Sequence, residues 1–393
     1  MRLSDEPLRV LFAGGGTGGH LMPAVATAEA LRALMPSSRL LFLVSGRKAE
    51  AQCGASLAGF EVVQVPGAAP AGGLRKVQSV LGAARQAGRL LDIVRSVRPQ
   101  VIVGVGGRRS ILPILMGRAL GIRTALLESN AVPGATVRLM APVADCVILQ
   151  WAQAARRLKA RRIVVAGNPV RARLFGVSRE AALRRLGLSP HKRTLLVIGG
   201  SQGALALNKV LHEALPLAFG RRDDLQVIHL TGLDHLPAAL EWQNSRPVTS
   251  YRPIGFLNQM EHAYAAADFV LARAGGSTLA ELTALGLPAI LVPFPYATDD
   301  HQRANAAVLA EGGAAVLIEQ SELTPERLAQ AAVDLTADGR LRAQMAECAR
   351  RLGRPRAALT VAAELAAMAG YGKRIRPLLR DLETVSNRLS QAA

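Results

Sequence analysis

The chain has 393 residues, 50% hydrophobic and only 4% aromatic, enough for two domains of roughly 150–200 residues with cores of Leu, Val, Ile and Ala. Its net charge of +19 is uneven: residues 1–167 carry 22 Lys and Arg against 8 Asp and Glu, residues 168–393 carry 26 against 21, and the first half therefore calls for an anionic partner such as a phosphorylated substrate or a membrane surface. Scarce aromatics and the lack of a recognised binding module exclude nucleic acid, and three scattered cysteines, Cys53, Cys146 and Cys348, exclude a disulfide framework or zinc site.

The opening, MRLSDEPLRVLFAGGG, has too short an apolar run for a signal peptide, and no stretch reaches the ~18–20 apolar residues that span a bilayer, so a cytoplasmic protein is expected. The first predicted strand, Leu8–Ala13, runs into GGGTGGH at residues 14–20, and a helix follows over Ala24–Leu34. A strand that breaks in glycines before a helix offers backbone N–H groups at the positive end of the helix dipole, and glycine lets a ligand approach the backbone. The loop lacks the Lys-Ser/Thr of a Walker sequence, and His20 at its mouth points to chemistry, because imidazole titrates near working pH.

Strands over Leu40–Val44, Phe60–Val65, Val101–Val105, Thr124–Leu127, Cys146–Leu149 and Ile163–Ala166 follow, with helical patterns such as Val77–Val97 between most of them. In the approach to that helix, Leu74, Val77, Val80 and Leu81 share one face, flanked by Arg75, Lys76, Arg85 and Arg89: either core or a membrane-contact stripe. Glu128-Ser129-Asn130 sits at the carboxyl end of the Thr124–Leu127 strand, as a turn or as an acid–base and hydroxyl-binding group.

After Gly167-Asn168-Pro169-Val170-Arg171 the plan starts again. Thr194–Ile198 breaks into Gly199-Gly200-Ser201-Gln202-Gly203 and a helix, and strands follow over Gln226–Leu230, Pro253–Phe256, Phe269–Ala272, Ala289–Val292 and Ala314–Ile318. Within this run Asp223-Asp224 reads as a solvated turn, not a metal-binding DxD pair. A second glycine turn, Arg273-Ala274-Gly275-Gly276-Ser277-Thr278, opens a helix that Ser277 or Thr278 can cap. Glu281, expected in its first turn, either closes a capping box or accepts hydrogen bonds from a ribose diol. Gln302, opening a helix after Pro293-Phe294-Pro295 and Asp299-Asp300, can present a hydroxyl-binding amide. A helix over Ala357–Met368 and a basic, loosely ordered tail end the chain. Strand–helix alternation in two copies predicts two α/β domains, each a parallel sheet wound with helices on both faces and binding ligands at the carboxyl ends of its strands.

GGTGGH, GNPVR, GGSQGA, RAGGSTLAEL and DHQRANA, in this order from about Val10 to Gly353, resemble the MurG family of glycosyltransferases. The resemblance implies a GT-B fold, two Rossmann-like domains with parallel sheets facing across a cleft. It implies an acceptor- and membrane-facing domain over residues 1–167, a UDP-sugar domain over 168–354, and a helix and tail over 355–393 that packs back on the first. It also implies transfer of N-acetylglucosamine from UDP-N-acetylglucosamine to the undecaprenyl-diphosphate-linked muramyl-pentapeptide of peptidoglycan synthesis, by a peripheral enzyme on the cytoplasmic face of the inner membrane. Cell-wall synthesis proteins are the partners such a place implies, and no cofactor or metal is called for.

By position, the resemblance puts Thr17, Gly18 and Gly19 at the donor diphosphate-sugar and Asn130 on the sugar. Arg171 and Ser201 would hold the nucleotide, and Leu257 would back the uracil through its main chain. Gly276, Ser277, Thr278, Leu279, Ala280 and Glu281 would bind diphosphate and ribose, with Gln302 on sugar hydroxyls. Three positions depart from the family: Arg108 replaces the Tyr of a Gly-Gly-Tyr turn, Leu127 the His of His-Glu-Gln-Asn, and Val137 an Asn. The expected reaction is an inverting displacement with His20 as first candidate base and Glu128 as second. Its rivals are a UDP-N-acetylglucosamine epimerase on the same fold and a weakly active paralogue acting as a scaffold.

Overall fold

The computed structural model describes residues 6–15, 18–44, 54–65, 75–200, 203–246 and 250–378. It divides into two compact units, one of Met1–Ser129, Pro133–Arg171 and Arg356–Ala393, the other of Asn130–Val132 and Ala172–Pro355.

The first unit is built on β1 (Arg9–Ala13), β2 (Arg39–Val44), β3 (Glu61–Gln64), β4 (Val101–Gly104), β5 (Arg123–Glu128), β6 (Cys146–Leu149) and β7 (Ile163–Val165), hydrogen-bonded in the order β3-β2-β1-β4-β5-β6-β7. The second is built on β8 (Arg193–Ile198), β9 (Leu225–Leu230), β10 (Tyr251–Ile254), β11 (Phe269–Ala272), β12 (Ala289–Leu291) and β13 (Ala315–Leu317), in the order β10-β9-β8-β11-β12-β13. Every pairing is parallel. The central strands β4, β6 and β11 are apolar and buried along their whole length, as a sheet covered on both faces requires. In each sheet the strand order reverses once, between β1 and β4 and between β8 and β11, and these switch points are where open α/β sheets take ligands. Glycine loops leave β1, β4, β8 and β11 there.

On one face of the first sheet, Phe12 stacks on Phe42 with ring centroids 4.9 Å apart. Val25 and Leu31 of the Gly18–Leu34 helix share that core with Val361 and Leu365 of the Ala357–Met368 helix. Tyr371 fixes the end of that helix: its hydroxyl donates to the Glu6 carbonyl at 2.8 Å and accepts from Gln100 Nε2 at 3.1 Å. The other face is covered by Leu90, Val94 and Val97 of the Arg75–Val97 helix. Cys146 is buried in the first of these cores, beside Phe12 and Val361, and burial pushes its thiol up to about 11, so it packs as a small hydrophobe. The side chains of the 74–81 stripe, like Cys53 and the tail beyond residue 378, lie outside the described residues.

Two boundaries differ from the sequence expectation. The first helix begins at Gly18, six residues before Ala24, so Gly18, Gly19 and His20 form its first turn, and Pro23 lies inside it at the cost of one helical hydrogen bond. β10 covers Tyr251–Ile254 instead of Pro253–Phe256, because the chain turns at Gly255, where a Cβ would press within 3.2 Å of Leu233 and Leu236. Pro253 is tolerated because β10 is an edge strand. Among the described residues no helix is long and apolar enough to cross a membrane, and no three His, Cys, Asp or Glu side chains are grouped as a metal ion would need.

Candidate functional site

In the first unit the loops after β1 and β4 cross in contact. Gly14 (φ +123°) leaves no room for a Cβ, which would lie 2.6 Å from the Gly106 carbonyl oxygen. Gly106 (φ +92°) in turn lies under His20, where a Cβ would meet the imidazole Cδ2 at 2.9 Å. Positive φ and this close approach make both positions glycine-only, and together they seat the half-buried His20 ring at the switch point. Thr17, in the same loop, lies outside the described residues.

Glu128 ends β5 and is buried, and its Oε2 accepts a 2.7 Å hydrogen bond from the Gly134 N–H at the start of the Ala135–Met140 helix. This carboxylate thus ties down the loop after its strand. The departures at Leu127 and Val137 are explained by packing: both side chains are buried in the cores on either face of the sheet. Arg108 is exposed. Arg171 also falls in this unit, where its guanidinium is held by Glu29 on the first helix and by Ser56 Oγ at 3.0 Å.

In the second unit Gly275 caps the Gly276–Leu285 helix without any side-chain bond, so neither Ser277 nor Thr278 is its cap. Glu281 is the helix's sixth residue, not part of its first turn, and a capping box is therefore excluded. Its Oε2 instead accepts a 2.6 Å hydrogen bond from the Tyr264 hydroxyl. Leu279 and Ala280 are buried, leaving Gly276, Ser277 and Thr278 as the donor-rich positive end of the helix.

Around this turn two buried side chains set the neighbouring loops. Arg273 donates to the Val292 and Pro293 carbonyls at 3.1 and 3.0 Å and to Gln320 Oε1 at 2.6 Å, and burial pulls its pKa down. The Pro293 turn it pins presents the Phe294 N–H, which donates to Gln302 Oε1 at 3.0 Å and so aims the amide of that side chain. Asn305, fully buried, accepts from the Ala131 N–H at 2.7 Å and donates to Asn130 Oδ1 and the Ala274 carbonyl, each at 3.0 Å. One amide thereby joins Asn130 to the residue just before the glycine turn. Asp299 and Asp300 precede Gln302 with φ of +54° and +51°, two consecutive left-handed non-glycine residues of the kind that cluster at ligand sites.

The other glycine loop of this unit is equally constrained. A Cβ on Gly203 (φ +76°) would lie 2.0 Å from the Thr231 carbonyl oxygen, which also accepts from Asn208 Nδ2 at 3.0 Å. Asn208 Oδ1 meets His229 Nε2 at 3.0 Å, and His229 Nδ1 meets the Tyr251 hydroxyl at 2.7 Å. Burial pulls His229 down to about 3, so it stays a neutral link under the loop. Ser201 lies outside the described residues, and Leu257 is half-buried in the turn after β10. The Asp223-Asp224 segment is a local turn in which Arg222 Nη2 pairs with Asp224 at 2.5 Å.

Sequence reasoning missed Tyr264, Arg273 and Asn305 as supporting residues. Asn305 stood in the DHQRANA run, whereas Tyr264 carried no local signal, since only the fold brings the Met260–Ala266 helix beside Glu281.

Two family models match: the glycosyltransferase family 28 N-terminal domain over residues 10–149 and the glycosyltransferase family 28 C-terminal domain over residues 194–361. The chain is similar to a relative from Desulforudis audaxviator described as UDP-N-acetylglucosamine--N-acetylmuramyl-(pentapeptide) pyrophosphoryl-undecaprenol N-acetylglucosamine transferase, with 38% identity covering 93% of this chain and 100% of the relative. A relative of the same description from Anaeromyxobacter dehalogenans is 39% identical, covering 90% of this chain and 91% of its own. The solved structure of MurG from Acinetobacter baumannii has a TM-score of 0.70 at 28% identity, covering 92% of this chain and 100% of that one. A UDP-N-acetylglucosamine 2-epimerase structure has a TM-score of 0.66 at 18% identity, a likeness of fold alone. The chain belongs to glycosyltransferase family 28 and, within it, to the MurG family.

Proposed function

We propose that this chain transfers N-acetylglucosamine from UDP-N-acetylglucosamine to a muramyl hydroxyl of undecaprenyl-diphosphate-linked muramyl-pentapeptide, with inversion at the anomeric carbon. The observation that carries this reading is the Asn305 knot. It joins Asn130, the proposed sugar contact, to Ala274 beside the proposed diphosphate turn at Gly276. Gln302, set by the Phe294 N–H, adds sugar-hydroxyl contacts, and Glu281 takes the ribose diol. Ser277 and Thr278 serve the diphosphate with Gly276, Leu257 backs the base through its main chain, and Thr17, Gly18, Gly19, Arg171 and Ser201 complete the donor site. The second unit is then the UDP-sugar domain, and the first takes the acceptor.

In the reaction the acceptor oxygen attacks the anomeric carbon as the bond from that carbon to the β-phosphate oxygen breaks. The hydroxyl proton passes to His20, and the electron pair leaves on UDP. The transition state resembles an oxocarbenium ion. The charge that grows on the diphosphate is met by N–H groups already aimed at a helix start, so little reorganisation accompanies bond breaking. The seating of His20 against Gly106 supports it as the base, while the bond from Gly134 to Glu128 suits that carboxylate to a structural duty.

The test is purified protein with labelled UDP-N-acetylglucosamine and lipid-linked muramyl-pentapeptide. Disaccharide product, with UDP released only when acceptor is present, is the expected result. Conversion of the donor to its 2-epimer without acceptor would make the chain an epimerase, and binding of both substrates without turnover would make it a scaffold.

A lipid-linked acceptor places the enzyme at a bilayer, on the cytoplasmic face of the inner membrane beside other cell-wall synthesis proteins. The excess positive charge of residues 1–167 supports attraction to anionic headgroups, at about 1 kcal/mol per basic residue near the surface. Reversible sedimentation with anionic vesicles that fades as salt is raised is the expected outcome. Equal binding to neutral vesicles, or none at low salt, would remove this placement.

A further inference from the structure

Glu281 projects from the second turn of the Gly276–Leu285 helix, half-buried, with three rotatable bonds between backbone and carboxylate. A long side chain in that position does not hold one orientation by itself, and ordering it costs rotamer freedom. Tyr264 supplies one such constraint. It is 3% exposed, has a stiff aromatic stem, and donates from its hydroxyl to Glu281 Oε2 at 2.6 Å. The helix that carries it is itself fastened: Arg179 Nη1 donates to the Ala266 carbonyl at 2.7 Å while Nη2 pairs with Asp268 at 2.7 Å. Burial and the neighbouring Glu281 charge hold the phenol far above its usual range, so at working pH it is always the donor.

A carboxylate offers about four lone-pair sites in one plane, and a donor fixed on Oε2 sets that plane. We propose that Tyr264 is a positioning residue that orients Glu281 for a vicinal diol and thereby makes the enzyme select ribonucleotides over 2′-deoxyribonucleotides. This inference rests on the reading of Glu281 as the ribose acceptor. A site built to receive a substrate hydroxyl discriminates strongly against the analogue lacking it, but only while its acceptor keeps its aim. Without Tyr264 the carboxylate still reaches the sugar in some rotamers, so binding survives and selectivity falls.

The experiment measures dissociation constants of UDP and 2′-deoxy-UDP by calorimetry on the full chain. Wild type is expected to prefer UDP, and Y264F, which removes one oxygen and leaves the ring in the core, to lose about tenfold of that preference while still unfolding cooperatively and binding UDP. E281Q is expected to lose the preference, and the Y264F/E281Q double variant to lose no more than E281Q alone. Y264F with wild-type preference, where E281Q has lost it, would overturn the role of Tyr264 and leave Glu281 in place. Wild-type preference in E281Q would instead overturn the ribose reading, and the proposal with it. E281D offers an arm that leaves the buried ring untouched: it draws the carboxylate away from the phenol by one methylene, and full retention of the preference there would also overturn the proposal.

Discussion

His20→Ala lowers turnover by about 10²–10⁴-fold while UDP binds as before, the usual loss when a general base is removed. The imidazole stands in the first turn of the Gly18–Leu34 helix, and its ring is pressed against Gly106, a residue that has no side chain to displace it. Its aim is thus fixed by backbone. Removing the ring should leave the nucleotide contacts of the second unit untouched, so the loss belongs in kcat. Steady-state rates at saturating donor and acceptor, beside UDP titration calorimetry, make the check. Near-normal turnover would pass the proton to Glu128, or to the substrate itself.

Asn305→Ala is the second large effect, and it combines stability with binding. The side chain is fully buried and serves three partners, two of them backbone groups of residues that are themselves buried, Ala131 and Ala274. Alanine leaves an N–H and a C=O without their bonds and opens a small cavity. At about 1–3 kcal/mol for each of these two stranded groups, the second unit should lose roughly 2–6 kcal/mol. Asn130 loses the bond from Asn305 in the same step, so the Michaelis constant for the UDP-sugar rises in whatever fraction stays folded. Urea denaturation followed with donor kinetics reads both, and unchanged stability would show that the three bonds do not restrain the second unit.

What could be read before folding was the part written in local pattern. All thirteen strands among the described residues stood in the sequence as short apolar runs, and the parallel sheets followed from alternation with helices, because a strand covered on both faces has no polar side to display. The glycine turns were equally visible, since a loop that packs against another backbone tolerates nothing larger. Chain register within a few residues was less secure: β10 begins at Tyr251 because the Gly255 turn is set by Leu233 and Leu236, which are distant in sequence. Supporting residues were the least legible. A capping box and a ribose acceptor look alike at Glu281 until the position of the helix start is known. Tyr264 becomes meaningful only once a separate helix delivers it to that carboxylate.

The Pro253 edge has a further consequence, colloidal in nature. β10 turns the Ser250 and Ile254 carbonyls toward β9, where Val227 and Thr231 N–H groups bond them, so the backbones of residues 251 and 253 face away from the sheet. Such a rim ordinarily offers an adhesive template to another chain's strand. Here the outward Tyr251 carbonyl is covered by Gln243 Nε2 at 2.7 Å, and Pro253 has no N–H to offer. The rim is blunted at consecutive outward positions, which disfavours addition of another chain's strand along β10.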